Sequence, residues 1–245
     1  MNEAAQAYQL AKMDSDAKAA HMRCAEYRLK ENDHQSAARS YDQAGEFEKA
    51  ADCYMICGGI DQAVRSIMRR GNTTGGDPAL QIKCFERAID LYSKDEGKDI
   101  LASDVYKQYI TRLLIMCDWE RYYSVSSDYI LVLSRLEQWS FVYKEILSQV
   151  IIRLSRNELV GAERVLAKNL NVHSGFVHSP EYDAADDMIN AIKENDGEAL
   201  KKVVAKPTVL YVNTEVVKIA KSIKTVIIVP TNSATDTADV DSMLM

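Results

Sequence analysis

The sequence EQWSFVYKEILSQVIIRLSRNELVGAERVLAKN, residues 137–169, predicts two helices and the turn between them. In its first half, apolar residues spaced four, three and four apart share one face of a helix: Tyr143, Leu147, Val150 and Leu154. The polar residues 155–158 interrupt this helix, and a second helix follows over 159–169. Because so short a turn leaves its two helices antiparallel and side by side, the stretch predicts a helical hairpin.

Similar helices are predicted on both sides of this hairpin. Downstream, Ser179-Pro180 suits a helix start, Asn195-Asp196-Gly197 breaks that helix, and a short further helix ends before Pro207. Upstream, breaks are predicted at Asn32-Asp33, at Gly45 and at Gly58-Gly59, and a flexible loop at 71–76. The other predicted helices cover residues 2–13, 16–31, 34–44, 47–57, 60–70, 78–93, 99–116, 119–134 and 208–224. The fold class predicted is all-α, an array of antiparallel helical hairpins.

A short repeat supports this array. The pattern Ala-Ala-x-x-Tyr occurs at residues 4–8, 37–41 and 50–54, and its first two copies are 33 residues apart. That distance is close to the period of about 34 residues that is typical of tetratricopeptide repeats. Small alanines let a neighbouring helix approach closely, and the tyrosine one turn later fills the groove that results. One such helix cannot bury its apolar face alone, so the repeats are expected to stack.

Composition narrows the class of protein. The 245 residues include only 10 Gly and 4 Pro, fewer turn residues than a β-sandwich of this length needs. The net charge is −6, no basic block marks nucleic-acid binding, and no apolar run approaches the ~20 residues of a membrane span. The N-terminus lacks the pattern of a signal peptide, and the odd number of five Cys indicates reduced thiols. We therefore expect a cytoplasmic protein.

The cysteines are candidates for a metal site. Cys53 and Cys57 are predicted to share one helix face, and His21 and Cys24 another. A zinc site needs four ligands from paired short-spaced motifs, and no second pair accompanies either of these. A free cysteine in an alanine-rich helix usually packs as a small core residue, so we expect structural roles and no metal.

Other polar residues also lack a complete catalytic pattern. His173 and His178 flank a loop without a nucleophile motif, which favours surface positions. The loop at 71–76 lacks the Gly-Lys-Ser/Thr of a phosphate-binding loop and is predicted to be a plain connector. Asp186 and Asp187 are adjacent, point to different faces and are expected to be solvated. The sequence therefore favours a binding protein without catalytic residues or cofactor.

Several segments resemble one family, the soluble N-ethylmaleimide-sensitive-factor attachment proteins (SNAPs). They are WSFVYKEI at 139–146, RNELVGAER at 156–164, the pair Gly-Phe at 175–176 and the run Ser-Pro-Glu-Tyr at 179–182. The second segment and the closing VIIVP of 226–230 are most similar to the gamma type. The stretch 37–45 is similar to the family's early helices, but tetratricopeptide proteins share its pattern. The likeness extends over about residues 2–229 and is strongest over 139–212.

The resemblance implies an adaptor. Family members are twisted sheets of antiparallel helices closed by a C-terminal bundle. Several copies wrap a four-helix SNARE bundle, syntaxin-like component included, and recruit the hexameric AAA ATPase that disassembles it after membrane fusion. By analogy, a helical-repeat array is expected over 1–172, a bundle over 173–229 and a disordered acidic tail over 230–245. The protein is then expected to be associated peripherally with membranes through its partners.

The resemblance also suggests site residues. Leu244 matches the penultimate leucine of alpha-type members, with Asp239 and Asp241 nearby, so the tail is expected to engage the ATPase. Lys144 aligns with a lysine of the family, in the hairpin that continues to Arg153 and Arg156, and these three are candidates to face the SNARE bundle. The alternatives are an unspecific tail and merely solvated basic side chains.

Compared with the family, the sequence starts inside what corresponds to the second or third helix. The family's first hairpin has an apolar loop that touches the membrane. Either the protein is a truncated paralogue, or its gene start is assigned too late; a truncated paralogue is expected to show weak membrane-assisted disassembly. Two other classes remain open. A generic tetratricopeptide scaffold would bind a partner's peptide tail through Lys and Asn at set positions on successive inner helices. A helical enzyme would need a metal or nucleophile site.

Overall fold

The computed structural model describes residues 14–73 and 77–224, and helices are the only regular structure in them. The helices up to residue 135 are α1 (Asp14–Lys30), α2 (His34–Gln43), α3 (Phe47–Ile56), α4 (Ile60–Thr73), α5 (Pro78–Ser93), α6 (Asp99–Met116) and α7 (Trp119–Arg135). The later helices are α8 (Trp139–Ser155), α9 (Leu159–Lys168), α10 (Pro180–Lys193), α11 (Gly197–Val204), α12 (Pro207–Leu210) and α13 (Thr214–Ser222). Short 3-10 helices span Glu96–Lys98 and Phe176–His178. The predicted all-α fold is confirmed.

The chain divides into two compact units, and the boundary falls within α8. One unit ends at Gln149 and the other starts at Val150. The predicted division at residue 172, the bundle at 173–229 and the tail at 230–245 stay predictions. Within the described ranges, no helix combines the length and the hydropathy that crossing a membrane requires. The predicted helix at 2–13, the first Ala-Ala-x-x-Tyr copy and the residues from 225 onward lie outside the described residues.

One type of turn recurs between consecutive helices. Each of seven turns contains one residue with φ between 54° and 76°, in the left-handed region: Asn32, Gly45, Gly58, Cys117, Glu137, Asn157 and Asn195. In each, the amide of the next residue donates to a carbonyl five positions earlier, as from Asp33 to Arg28 at 2.9 Å and from Gly59 to Tyr54 at 2.8 Å. This is the Schellman motif, which satisfies carbonyls at the helix end. It reverses the chain within a few residues and so makes successive helices antiparallel.

The predicted breaks at the Asn and Gly turns are confirmed, but two expectations were wrong. Helix α4 continues to Thr73, so Gly71 is helical and buried rather than in a loop. A Cβ at Gly71 would lie 3.3 Å from the Cβ of Cys84, so glycine allows α5 to pack closely there. The predicted helix at 208–224 is two helices, because Asn213 caps α13 by accepting a hydrogen bond from the amide of Glu215 at 2.9 Å.

The alanines of the repeat lie where helices meet. Ala37, Ala38, Ala50 and Ala51 are completely buried, and the tyrosines that follow them, Tyr41 and Tyr54, are also buried. Consecutive helices from α1 to α7 pack against each other in chain order. The predicted role of the second and third repeat copies, close approach at alanine with tyrosine beside it, is therefore confirmed.

Polar contacts also join helices that are two apart in the chain, so one hairpin is fixed to the next. Asp42 on α2 accepts a 2.8 Å hydrogen bond from the hydroxyl of Ser66 on α4. A different contact joins two consecutive helices: the guanidinium of Arg135 on α7 donates two 2.8 Å hydrogen bonds to the carboxylate of Asp99 at the start of α6. This contact strengthens one hairpin internally. Arg87 on α5 reaches Asp52 on α3 at 2.7 Å. Side-chain hydrogen bonds and ion pairs therefore stabilise the array in addition to the packing of its helices.

Helix α8 is buried more fully than its periodicity predicts. Besides the predicted face, Val142, Ile146, Ile151 and Ile152 are completely buried, because apolar residues also occupy the other faces of this helix. The helix carries a polar residue in the same surroundings, Glu145, which is only 8% exposed. Predicting a single buried face for α8 was therefore too narrow.

The buried carboxyl of Glu145 is held by the helix before it. Its Oε1 accepts hydrogen bonds from the hydroxyl of Ser126 at 2.5 Å and from that of Tyr122 at 3.1 Å, both on α7. The amide of Gln149 donates to the Ser126 hydroxyl at 2.8 Å. Burial raises the pKa of Glu145 above its ordinary value, although the two hydroxyl donors oppose that shift. This network fixes the rotation of α8 against α7.

In the second unit, α10 contacts α9, α11, α12 and the 3-10 helix at 176–178. Phe176 is completely buried, with its ring edge-to-face against Tyr182 at a centroid distance of 5.5 Å. Ser179 caps α10 by accepting from the amide of Tyr182 at 3.2 Å, and Pro180 takes the first helical position, as the sequence predicts. Lys193 pairs with Glu163 of α9. Helix α10 is thus the centre of this unit.

The left-handed conformation of Glu137 gives a stability prediction. A residue with a Cβ is strained at its φ of 55°, so Glu137→Gly should raise the free energy of unfolding by about 1 kcal/mol. Urea unfolding of the full chain measures the change. The control Gln108→Gly, at an exposed position inside α6, should lower stability by roughly 0.5–1 kcal/mol. Equal losses in both variants would contradict the strain at this turn.

The buried Glu145 gives a pH prediction. Because its pKa is higher in the folded than in the unfolded protein, the folded state binds more protons between pH 4.5 and the raised value. The contribution of Glu145 to stability is therefore complete at low pH and is lost as pH rises through that window. Glu145→Gln should lose less stability than the wild type as the pH rises above about 4.5 in urea titrations. Glu120→Gln, at an exposed position of α7, should keep the wild-type dependence, and identical curves for all three proteins would overturn this assignment.

Candidate partner-binding surface

Two lysine side chains lie close to an exposed aromatic ring in the first unit. Phe141 on α8 is 44% exposed. The ammonium of Lys144, on the same helix, is 5.7 Å from the centroid of its ring, and that of Lys107, on α6, is 5.3 Å from the same centroid. Both distances are within the ~6 Å over which a cation is attracted to an aromatic face. We call Lys107, Phe141 and Lys144 the Phe141 surface.

The folding of α8 explains why these side chains face outward together. Phe141 and Lys144 are three positions apart, which places them side by side on one helix face. Tyr143 and Glu145, on either side of Lys144 in the chain, are buried. Since Glu145 is held by two hydroxyls of α7, the helix cannot rotate without breaking that network. The positions of Phe141 and Lys144 are therefore set by the core.

The Phe141 surface is positively charged. Lys144 forms no ion pair with any carboxylate in the described part of the chain, and its ammonium lies over the Phe141 ring. Lys107 lies 3.4 Å from Asp104, but both side chains are exposed, and such pairs contribute only about 0–1 kcal/mol. An exposed ring with two cations can bind an acidic surface that also offers apolar contact.

The other two basic candidates, Arg153 and Arg156, lie in the second unit and share one carboxylate. Glu158 pairs with Arg153 at 2.8 Å and with Arg156 at 2.7 Å, and the hydrogen bond from Arg156 is the main reason that its pKa is lowered. Arg153 also lies against Gly161, where a Cβ would come 2.9 Å from its Nη1. Both arginines thus stabilise the turn between α8 and α9, and their role toward a partner stays a prediction.

The predicted cysteine and histidine pairs differ in burial. Cys53 is buried, whereas Cys57 follows the last residue of α3 and is exposed, so the two thiols lie in different surroundings and their shared face stays a prediction. His21 and Cys24 are both buried, and the Ser40 hydroxyl lies 3.6 Å from the sulfur of Cys24. Burial lowers the pKa of His21. Across residues 14–73 and 77–224, no three His, Cys, Asp or Glu side chains are grouped as metal ligands.

The remaining candidates lie at the surface or outside the described residues. His178 is exposed, and the Nδ1 of His173 accepts a 3.2 Å hydrogen bond from the amide of Gly175. Asp186 accepts from Asn190 at 3.0 Å, and Asp187 pairs with Lys206 at 2.6 Å, so these acids have partners as well as solvent. The tail candidates Asp239, Asp241 and Leu244 fall outside the described residues.

The sequence identified Lys144 but missed Lys107 and the exposure of Phe141. The spacing of Phe141 and Lys144 could have indicated a shared face, since three positions separate them. The approach of Lys107 could not be read from the sequence, because it depends on how α6 and α8 pack in three dimensions. The Phe141 surface therefore forms only when the folded chain brings Lys107 close to Phe141 and Lys144.

Comparison with known proteins identifies the family. The family described as "Soluble NSF attachment protein, SNAP" matches residues 1–206. The chain is similar to the gamma-soluble NSF attachment protein of Dictyostelium discoideum, with 30% identity over 146 residues that cover 58% of this chain and 43% of that protein. It is also similar to the alpha-soluble NSF attachment protein of Saccharomyces cerevisiae, with 28% identity over 160 residues that cover 64% of this chain and 43% of that protein. The matched part thus spans less than half the length of either relative. Since the family match covers well over half of this chain, the chain belongs to the soluble NSF attachment protein (SNAP) family.

Proposed function

We propose that this protein is an adaptor that binds assembled SNARE bundles and recruits the hexameric AAA ATPase N-ethylmaleimide-sensitive factor. The ATPase would then disassemble the bundle, as vesicle fusion and intracellular protein transport require. Family membership supports attachment to the ATPase as the general role, and the helical array supports a binding function. The protein would reach membranes through these partners and associate with them peripherally.

The observation that carries the proposal is the Phe141 surface. It is a positively charged patch on a chain whose net charge is −6. A local basic patch attracts an acidic partner and orients its approach even when the whole protein is acidic. An acidic bundle of helices offers such a partner, and the exposed ring adds apolar contact area.

The contribution of Arg153 and Arg156 would be different. Both side chains are paired with Glu158, so a partner's carboxylate would have to compete with an existing ion pair. Among the three basic candidates of the family pattern, we therefore assign the main electrostatic contact to Lys144. Arg153 and Arg156 would chiefly hold the turn after α8.

We further propose that the acidic tail engages the ATPase through Asp239, Asp241 and Leu244. Three acids without a basic residue follow Pro230, and an apolar end follows them. Carboxylates can meet basic residues of a partner, and a leucine can fill a small apolar pocket there. The resemblance to alpha-type members supports Leu244 for this role.

Removing the Lys144 charge tests the SNARE-binding surface. Lys144→Ala should weaken binding of a fluorescently labelled, assembled SNARE bundle by about two- to fivefold at low salt, because one exposed charge contact is lost. Adding Lys107→Ala should weaken it further, and both changes should reduce the salt dependence of binding. Fluorescence anisotropy titrations measure these affinities.

The control for Lys144 is Lys94, an exposed lysine of the same unit that is paired with Asp90 at 2.8 Å. Lys94→Ala should bind the bundle like the wild type. If Lys144→Ala and Lys94→Ala bind equally well, or weaken equally, the Phe141 surface is not the contact.

Changing the penultimate residue, Leu244, tests the tail. Leu244→Ala should keep SNARE binding and lose most of the ATPase from a pull-down on the immobilised bundle, because the tail is assigned only to the second partner. Leu210→Ala, an exposed leucine of α12, serves as the matched control and should retain both partners. Full ATPase recruitment by the Leu244 variant would reject the tail assignment and leave the SNARE surface in place.

A further inference from the structure

A groove of about 420 Å³ opens between α4, α5 and α6 in the first unit. This is within the roughly 300–1,000 Å³ that ligand pockets commonly have. Its apolar wall consists of Met68, Phe85 and Ile115, and Ile115 is 54% exposed although it is a large aliphatic side chain. An exposed isoleucine over a partly apolar groove indicates a site for an apolar group.

Two polar atoms in the lining lack hydrogen-bond partners. The Oε1 of Gln81 and the Nε of Arg112 are buried, and neither has a partner among the described residues. One is an acceptor and the other a donor, but both are covered in the free protein, so a bound chain would reach them only after the side chains of Gln81 and Arg112 shift. A buried polar group without a partner costs free energy, which a ligand with the complementary group recovers.

The charge of the groove favours an acidic ligand. Its side chains include the cations Lys107 and Arg112 and no carboxylate. Lys107 also belongs to the Phe141 surface, so the groove and that surface are continuous through α6. A ligand bound to the Phe141 surface can therefore extend into the groove while it stays in contact with basic side chains.

We infer that the groove takes one apolar side chain from an acidic helix of the partner that docks on the Phe141 surface, with a carboxylate of the same helix on Arg112. This rests on the proposed function and deepens it, because it adds an apolar anchor to an electrostatic contact. Neighbouring positions on a helix are three or four residues apart, so one helix can present both groups to the groove. The partner is recognised by an exposed apolar residue next to an acid, rather than by charge alone.

The test uses the full chain and the labelled, assembled SNARE bundle. Ile115→Ala should weaken binding by about three- to tenfold with unchanged salt dependence, because it removes apolar contact. Arg112→Gln should also weaken binding and should reduce the salt dependence, because it removes a charge. Ile100→Ala is the matched control: Ile100 is a 63% exposed isoleucine of the same helix that does not line the groove, and its variant should bind like the wild type.

The outcomes separate this inference from the proposed function. If Lys144→Ala weakens binding while Ile115→Ala and Arg112→Gln do not, the groove is empty in the complex and the inference is wrong, but the adaptor proposal stands. If Ile100→Ala weakens binding as much as Ile115→Ala does, the groove is not a specific anchor site. If the wild-type protein does not bind the bundle at all, the proposed function fails and the inference falls with it.

Discussion

Close contact between alanine-lined helices is the interaction on which the first unit depends. No helix there can bury its apolar face alone, and the completely buried alanines of α2 and α3 let neighbouring helices approach closely enough to do it together. The Schellman turns make this possible, because each returns the chain antiparallel within a few residues. Once the helices are packed, the side chains left outside are presented on a rigid surface. Binding residues need no loop to position them.

Helix α8 shows how core and surface are coupled. Glu145 is buried and bound by two hydroxyls of α7, while Lys144, its neighbour in the chain, presents its charge beside the exposed ring of Phe141. The buried polar network costs desolvation, but it specifies the rotation of the helix, which an apolar contact would define less sharply. We interpret this network as the interaction that holds the Phe141 surface in place, in spite of its desolvation cost. A partner then meets a preformed patch and loses little free energy in ordering it.

Much of the fold could be predicted from the sequence, because helix breaks at Asn32, Gly45 and Gly58 use residues that adopt the left-handed conformation readily. Glu137 adopts the same conformation without such a preference, so its turn depends on the packed helices around it. The site was less predictable. Lys144 was found through a family resemblance, whereas Lys107 reaches the same ring only after α6 and α8 have packed. The pairing of Arg153 and Arg156 with Glu158 likewise follows from the geometry of one turn.

Disassembly of a soluble SNARE bundle that carries donor and acceptor dyes tests the adaptor function most directly. The purified ATPase and ATP are added to the labelled bundle, with and without this protein, and donor fluorescence is followed over time. Our account predicts that energy transfer is lost at an ATP-dependent rate only when the protein is present, and that the rate rises with its concentration until the bundle is saturated. A rate equal to that of the ATPase alone, at protein concentrations that saturate the bundle, would contradict the assignment of this protein as an adaptor.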